Sequence, residues 1–185
     1  MTKKELRQRI AEAVKALPGD YCRRADAAIC RHVVESPLYQ QAGTIFCYVG
    51  NDREIDTTAL LRAALADGKV VATPLCTGKG IMEARRIREL GDLVSGKFGI
   101  LAPGEECSLV EPEDFDLAIV PCSTGNRRGQ RLGYGGGFYD RYLPRTRCPK
   151  VLLCRERLVT EEIPLEEHDT PMDYLATEEG LFPCI

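Results

Sequence analysis

The sequence predicts an α/β fold with at least partly parallel strands in a single domain. Short apolar runs rich in β-forming residues alternate with segments whose apolar residues repeat at helical spacing. A strand, a helix and a second strand follow one another between residues 44 and 74, an order typical of parallel pairing. The chain has 185 residues, of which 44% are hydrophobic. Since no glycine- and serine-rich linker divides it, one domain with its own core is expected.

The first predicted helix begins at the capping box Thr2-Lys3-Lys4-Glu5 and ends at Pro18-Gly19. Three cations near its beginning, Lys3, Lys4 and Arg7, oppose the preference of the helix dipole for acids there. Charge alone leaves two readings open: these side chains are merely solvated, or they bind an anionic ligand.

The remaining elements follow from apolar periodicity and from turn residues. A second helix is predicted over residues 20–35, with His32 as a packing residue, and a third after Asp56 or Thr57, ending near Gly68. Strands are predicted at residues 44–49, 69–74, 116–121 and 150–154, with a short edge strand at residues 85–87 and a final strand at residues 174–177.

Composition excludes several classes of protein. The net charge is −3 and no long basic stripe occurs, so a nucleic-acid partner is not expected. Neither a signal peptide nor an apolar run of membrane-spanning length is visible, and we therefore expect a cytoplasmic protein without a membrane partner. The nine cysteines are odd in number and form no CxxC pair. They indicate reduced thiols rather than a disulfide framework or a zinc site.

The most unusual stretch is RLGYGGGFYDRYL, residues 131–143, with four glycines in five positions. Glycines at this density let the backbone turn tightly and approach a ligand closely. A helix is predicted to begin at Phe138, so the amides of Gly136, Gly137 and Phe138 would lie at its positive end. This arrangement is typical of a phosphate site.

The charge around this stretch agrees with an anionic ligand. Residues 127–147 carry six arginines and one acid, Asp140, which concentrates positive potential on one segment. Asp140 stands one turn into the predicted helix, where a carboxylate could hold a divalent ion that bridges phosphate oxygens. The alternative is a solvated glycine-rich loop without a ligand.

The same run resembles the nucleotide-binding motif of the 5-formyltetrahydrofolate cyclo-ligase family, also called methenyltetrahydrofolate synthetase. Three further runs are similar to family elements in the same order: KKELR at residues 3–7, KFGI at residues 97–100 and HDTPMD at residues 168–173. The resemblance implies one three-layer α/β domain over residues 1–185, with a mostly parallel central sheet flanked by helices. It also implies closure of 5-formyltetrahydrofolate to 5,10-methenyltetrahydrofolate, with ATP hydrolysed to ADP and phosphate.

The resemblance further implies roles for individual residues. ATP is expected to contact Lys3, Lys4, Arg7, Arg131, Leu132, Gly133, Tyr134, Gly135, Gly136, Gly137, Phe138 and Tyr139. The reduced folate is expected at Arg7, Val49, Glu54, Tyr134, Gly135, Gly136, Gly137 and Phe138. Catalysis is assigned to Arg131, Tyr139 and Asp140, and Mg²⁺ to Asp140 and Asp173. We expect a monomer whose partners are the two small-molecule substrates.

Two departures from the family pattern keep other functions open. Ala102 stands where the family commonly has Glu, and Thr124-Gly125-Asn126 stands where it commonly has Ala-Phe-Asp. One alternative is therefore a homologue that binds nucleotide or folate without turnover. Another is a sugar-phosphate isomerase or acyl-transfer enzyme of related architecture that uses the same basic loop.

Overall fold

The structure is a computed structural model that describes residues 1–96 and 99–185. Helices α1 to α5 span Lys3–Ala16, Gly19–Val34, Pro37–Gln41, Thr58–Ala66 and Phe138–Tyr142. Strands β1 to β12 span Thr44–Cys47, Val70–Gly78, Ile81–Ile87, Leu93–Ser95, Leu101–Pro103, Leu109–Val110, Leu117–Val120, Thr124–Gly125, Arg131–Leu132, Lys150–Leu153, Tyr174–Thr177 and Gly180–Pro183.

Eight of these strands form a central sheet in the order β12-β11-β10-β7-β1-β2-β3-β6. The five middle strands, β11 to β2 in that order, pair in parallel. Antiparallel strands close both edges, with β12 beside β11 and β3 and β6 beyond β2. The predicted α/β class with a mostly parallel central sheet is confirmed.

Helices cover both faces of this sheet because its middle strands are apolar on both sides. Along β1, Ile45 and Cys47 join a core shared with α2, α3 and α4. Phe46, which points to the opposite face, joins a second core that includes Tyr142 of α5 and the inner side of α1. The resulting order of helices, sheet and helices gives the three layers.

The sheet edges differ from the sequence prediction. Residues 85–87 were expected as an edge strand, but they end the longer β3, which pairs with β2 on one side and with β6 on the other. The 174–177 strand is not the last, because β12 follows it. Both misses are antiparallel strands near an edge. Buried residues in β3 are interrupted by exposed and half-buried ones, and β12 has no buried residue, so both strands lack the continuous apolar pattern that identifies a buried parallel strand.

None of the helices within the described ranges is long and apolar enough to span a membrane. The structure describes all nine cysteines as free thiols, four of them buried. We expect thiol titration of freshly purified, denatured protein to recover nine thiols per chain. Recovery of clearly fewer, or copurification of stoichiometric zinc, would contradict the prediction that these cysteines have neither disulfide nor metal roles.

Candidate functional site

The glycine-rich loop, which we define as Gly133–Gly137, connects β9 to α5. As predicted, a helix begins at Phe138, and its N-cap is Gly137 with a left-handed φ of 72°. Gly135 is also left-handed, with φ of 99°. Because residues with a Cβ are strained at these angles, both positions require glycine for their backbone conformation.

Gly136 is required for a different reason, since it is not among the left-handed glycines. A Cβ at this position would lie 2.7 Å from two ring carbons of Phe138. The ring of Phe138 therefore packs directly against the bare backbone of the loop. Any side chain at residue 136 would displace either that ring or the loop.

Arg131 lies in β9, the strand that leads into the glycine-rich loop. It is buried, and its Nε donates a hydrogen bond to the carbonyl oxygen of Pro121 at 2.7 Å. Its guanidinium lies 4.9 Å from the centre of the Tyr139 ring, close enough for a cation–π contact. Burial raises the pKa of Tyr139 well above its ordinary value, so this phenol stays protonated as a hydrogen-bond donor.

The three N-terminal cations lie in different environments. Arg7 Nε donates to the carbonyl oxygen of Gly133 at 2.8 Å, which ties α1 to the loop. Lys3 is held by Asp169 at 2.8 Å and by Glu166 at 3.3 Å, whereas Lys4 is exposed. Charge alone left open whether these cations are solvated or bind an anionic ligand. In the structure, Arg7 contacts the glycine-rich loop and Lys4 is exposed at the surface.

A cavity of about 290 Å³ lies between α1 and the sheet, and we call it the α1 cavity. It opens at the carboxyl ends of three parallel strands, with Tyr48 following β1, Cys122 following β7 and Cys154 following β10. Ligands of open α/β sheets bind at this end of the strands. Its walls are largely apolar, with a few polar groups, as is usual for a small-molecule site.

Residues from both predicted sites meet in this cavity. Its lining includes Arg7, Glu54 and Tyr134, and the hydroxyl of Tyr134 donates to the carbonyl oxygen of Cys122 at 2.9 Å. Tyr134 belongs to the glycine-rich loop, so the loop and the cavity share a wall. Val49 lies two residues past β1 and packs, partly buried, against the core.

Glu54 is the carboxylate of the α1 cavity. Its Oε1 accepts a hydrogen bond from the backbone N–H of Asn51 at 3.1 Å. Burial raises the pKa of this carboxyl, while the Asn51 amide and the positive charges of Arg53 and Arg131 act in the opposite direction. The net effect is a carboxyl that protonates more readily than an exposed glutamate.

The two acids predicted for Mg²⁺ each cap a backbone amide. Asp140 Oδ1 accepts from the Thr170 N–H at 3.0 Å, and Asp173 Oδ2 accepts from the Lys150 N–H at 2.8 Å. Lys150 begins β10, so Asp173 lies at the end of the sheet opposite the α1 cavity. Within residues 1–96 and 99–185, no group of three or more His, Cys, Asp or Glu side chains could hold a metal.

Asp140 by itself nevertheless fits Mg²⁺ bound together with a nucleotide. Mg²⁺ commonly uses one or two carboxylates and takes its other ligands from phosphates and water. Asp140 is the third residue of α5, three positions beyond the end of the glycine-rich loop, and its hydrogen bond from the Thr170 N–H occupies only Oδ1. Its chemistry suits the predicted role, and Asp173 as a second ligand stays a prediction.

The departures at residues 124–126 have a structural explanation. Asn126 is buried, and its Nδ2 donates to the carbonyl oxygens of Thr160 and Glu161 at 3.2 and 3.1 Å. A carboxylate could not make these two donations. A Cβ on Gly125 would lie 2.2 Å from Cδ2 of Leu152. The packing of this turn therefore accounts for Gly125 and Asn126 in this chain.

The predicted substrate run at residues 97–100 is only partly described. Lys97 and Phe98 lie outside the described residues, and Gly99 has a left-handed φ of 71°. Ala102 lies in β5 opposite Val94.

Sequence reasoning missed Tyr48, Cys122 and Arg155 as lining residues of the α1 cavity. Cys122 and Arg155 directly follow the strands predicted at residues 116–121 and 150–154, and Tyr48 lies near the end of the strand predicted at residues 44–49. A position at the carboxyl end of a parallel strand is the signal that could have identified them.

Comparisons with known proteins agree with these observations. The model of the 5-formyltetrahydrofolate cyclo-ligase family matches residues 1–178. The chain is 30% identical over 196 residues to a Schizosaccharomyces pombe protein named "Probable 5-formyltetrahydrofolate cyclo-ligase", covering 97% of this chain and 96% of the relative. It is 28% identical over 209 residues to the mitochondrial 5-formyltetrahydrofolate cyclo-ligase of Arabidopsis thaliana, covering 98% and 76%. The solved structure of Aquifex aeolicus 5,10-methenyltetrahydrofolate synthetase is similar with a TM-score of 0.89 at 30% identity, covering 99% of this chain and 93% of that one.

Proposed function

Since the chain belongs to the 5-formyltetrahydrofolate cyclo-ligase family, we propose that it closes 5-formyltetrahydrofolate to 5,10-methenyltetrahydrofolate while ATP is hydrolysed to ADP and phosphate. One observation carries the proposal: Tyr134 belongs to the glycine-rich loop and lines the α1 cavity, and Arg7 contacts both. A triphosphate on the loop and a folate in the cavity would therefore be neighbours, as transfer of a phosphoryl group between them requires.

The proposed reaction makes a poor leaving group into a good one. The formyl oxygen attacks the γ-phosphorus, the bond to the β-phosphate oxygen breaks, and ADP leaves. N10 of the folate then adds to the activated formyl carbon and loses its proton, and the carbon–oxygen bond breaks as phosphate departs. No step requires a side-chain nucleophile, so the protein contributes positioning and charge.

The residues supply these contributions from three directions. The amides of the glycine-rich loop and the guanidinium of Arg131 would stabilise negative charge on the phosphates. Protonated Tyr139, beside Arg131, would donate to a phosphate oxygen. Glu54 would accept from the donor edge of the pterin, and Arg7 would reach both substrates.

Asp140 would hold Mg²⁺ next to the glycine-rich loop, whereas Asp173 caps the amino end of β10, so its role as a second ligand stays a prediction. When bound, this ion would supply positive charge that offsets the negative charge on the transferred phosphoryl group. The proposed partners are thus the two small-molecule substrates, ATP and a reduced folate. We also propose that the protein is a monomer and that it works in the cytoplasm.

The test is incubation of the protein with ATP, Mg²⁺ and 5-formyltetrahydrofolate while the absorbance of the methenyl product is followed. We expect product only when ATP is present, with one ADP formed for each methenyl group. Binding of both substrates without ADP formation would instead select the non-catalytic alternative that the departures at residues 102 and 126 left open. Turnover of a sugar phosphate without ATP would select the isomerase or acyl-transfer alternative.

Glu54 gives the proposed function a pH signature. If its carboxylate form binds the pterin, the KM for folate rises as pH falls toward the raised pKa of this buried group, at a pH above the usual range near 4.3. Glu54→Gln should raise the folate KM at neutral pH about tenfold to a hundredfold, the scale of one charged hydrogen bond. It should also flatten the pH dependence of KM. Identical pH profiles for wild type and Glu54→Gln would rule out this role.

A further inference from the structure

A buried ion pair lies at the wall of the α1 cavity, where Arg155 is one of the lining residues, and is not used by the chemistry described so far. Arg155, which follows β10, donates from Nε and Nη2 to the two carboxylate oxygens of Asp26 in α2, at 2.8 and 2.9 Å. The side chains are only 6% and 11% exposed. A two-pronged contact of this kind fixes orientation as well as charge.

Both partners also bind the backbone of the segment that carries Glu54. Nη2 of Arg155 donates to the carbonyl oxygen of Glu54 itself at 3.2 Å. Oδ2 of Asp26 accepts from the N–H of Asp56 at 3.0 Å. The ion pair therefore grips this segment on both sides of Ile55, whose side chain is buried in the core.

Thr57, the residue after Asp56, ties the segment independently to the residues that follow β1. The hydroxyl of Thr57 donates to the carbonyl oxygen of Tyr48 at 2.8 Å and accepts from the N–H of Gly50 at 3.2 Å. Gly50 packs on the carbonyl of Ile55, where a Cβ would lie 2.0 Å from that oxygen. Loss of the ion pair would thus leave the Glu54 carbonyl and the Asp56 N–H without these partners, while the hydrogen bonds of Thr57 to Tyr48 and Gly50 persist.

Stability alone is a weak explanation for this pair. Burying two charges costs desolvation free energy, and apolar residues of similar volume often replace a buried pair without loss of stability. The distinguishing feature is that Arg155 and Asp26 each form a hydrogen bond with the backbone of the short segment that contains Glu54. The carboxylate of Glu54 lines the α1 cavity.

We propose that Arg155, held by Asp26, is a positioning residue for substrate recognition, which fixes the backbone at Glu54 so that its carboxylate meets the donor edge of the reduced folate. This inference rests on the proposed function. It adds to that function the residues that orient the Glu54 carboxylate toward the folate. Arg155 acts through Glu54, so its loss should weaken folate recognition and leave the glycine-rich loop unaffected, because the hydrogen bonds of its guanidinium go to Asp26 and Glu54.

The test replaces both charges so that neither is left buried alone. In Asp26→Leu/Arg155→Met, we expect the KM for 5-formyltetrahydrofolate and its dissociation constant measured by calorimetry to rise about tenfold, the scale of one loosened charged hydrogen bond. The KM for ATP and kcat should stay within about threefold. A matched control, Arg127→Met/Glu156→Leu, removes another two-pronged ion pair, at 2.8 and 3.1 Å. Among the described residues this pair makes no hydrogen bond to the Glu54 segment, so its removal should leave folate affinity unchanged.

A double-mutant cycle separates positioning from general destabilisation. Glu54→Gln should lose most of its effect on folate affinity in the Asp26→Leu/Arg155→Met background, because the carboxylate is already misplaced there. Arg155→Lys, which keeps the charge but cannot reach all three acceptors, should give an intermediate affinity and serves the same cycle if the double variant does not fold.

Folded variants with wild-type folate affinity, or full additivity with Glu54→Gln, would overturn the inference. If the wild type binds folate without turnover, only the proposed activity is contradicted. The double-mutant cycle on folate affinity then still tests the positioning role of Arg155. A wild type that neither binds nor converts folate overturns both.

Discussion

Replacement of Asp140 by Asn is expected to lower kcat about a hundredfold or more, the scale of removing one group that stabilises charge in a transition state. The amide oxygen of Asn can still accept the hydrogen bond from the Thr170 N–H that Asp140 Oδ1 accepts at 3.0 Å, so the fold should survive. The substitution removes the negative charge that would hold Mg²⁺. Turnover measured across a Mg²⁺ titration, beside nucleotide binding without Mg²⁺, checks this.

The matched control is Asp116→Asn. Asp116 also caps backbone amides, those of Gly43 and Thr44 at 2.9 Å, and it lies at the opposite, amino end of the parallel strands. The Asp116→Asn protein should have a slightly lower free energy of unfolding than the wild type and the same kcat. The metal assignment of Asp140 fails if Asp140→Asn retains the Mg²⁺ dependence of the wild type, or if Asp116→Asn loses as much turnover.

The strands that the sequence predicted well are those that are apolar on both faces. Residues 117–120, for example, are buried at every position, so the apolar run itself marks the strand. β12 has no such mark, because it contains Gly180 and Pro183 and only partly buried side chains between them. Its existence depends on pairing with β11, and pairing is a tertiary event that local composition does not report.

The same distinction applies to the site. The glycine-rich loop and the start of α5 were predictable because the residues that form them are consecutive and local backbone requirements determine their shape. The grip of Arg155 and Asp26 on Glu54 joins residues 129 and 101 positions apart. Only the packing of α2 against the sheet brings these residues together, and one sequence contains no signal for that pairing.

Gly137→Val is the second substitution with a large expected effect. Gly137 has a φ of 72° at the N-cap of α5, and a β-branched residue strongly resists that region. The strain, on the order of 1–3 kcal/mol, is expected to be relieved by movement of the glycine-rich loop. We therefore expect the KM for ATP to rise about tenfold or more, since the loop amides no longer point at one phosphate position. Steady-state kinetics at saturating folate measures this.

Gly68→Val is the matched control, because Gly68 has a nearly identical φ of 75° after α4 and no atom lies within 4 Å of the Cβ it would gain. It should lose a comparable amount of stability, visible as a lower Tm, while the KM for ATP stays at the wild-type value. A Gly137→Val protein that is destabilised like Gly68→Val but binds ATP normally would show that the loop does not contact the nucleotide. If instead only Gly137→Val weakens ATP, strain alone is excluded as the cause, and the backbone of the glycine-rich loop is assigned to phosphate binding.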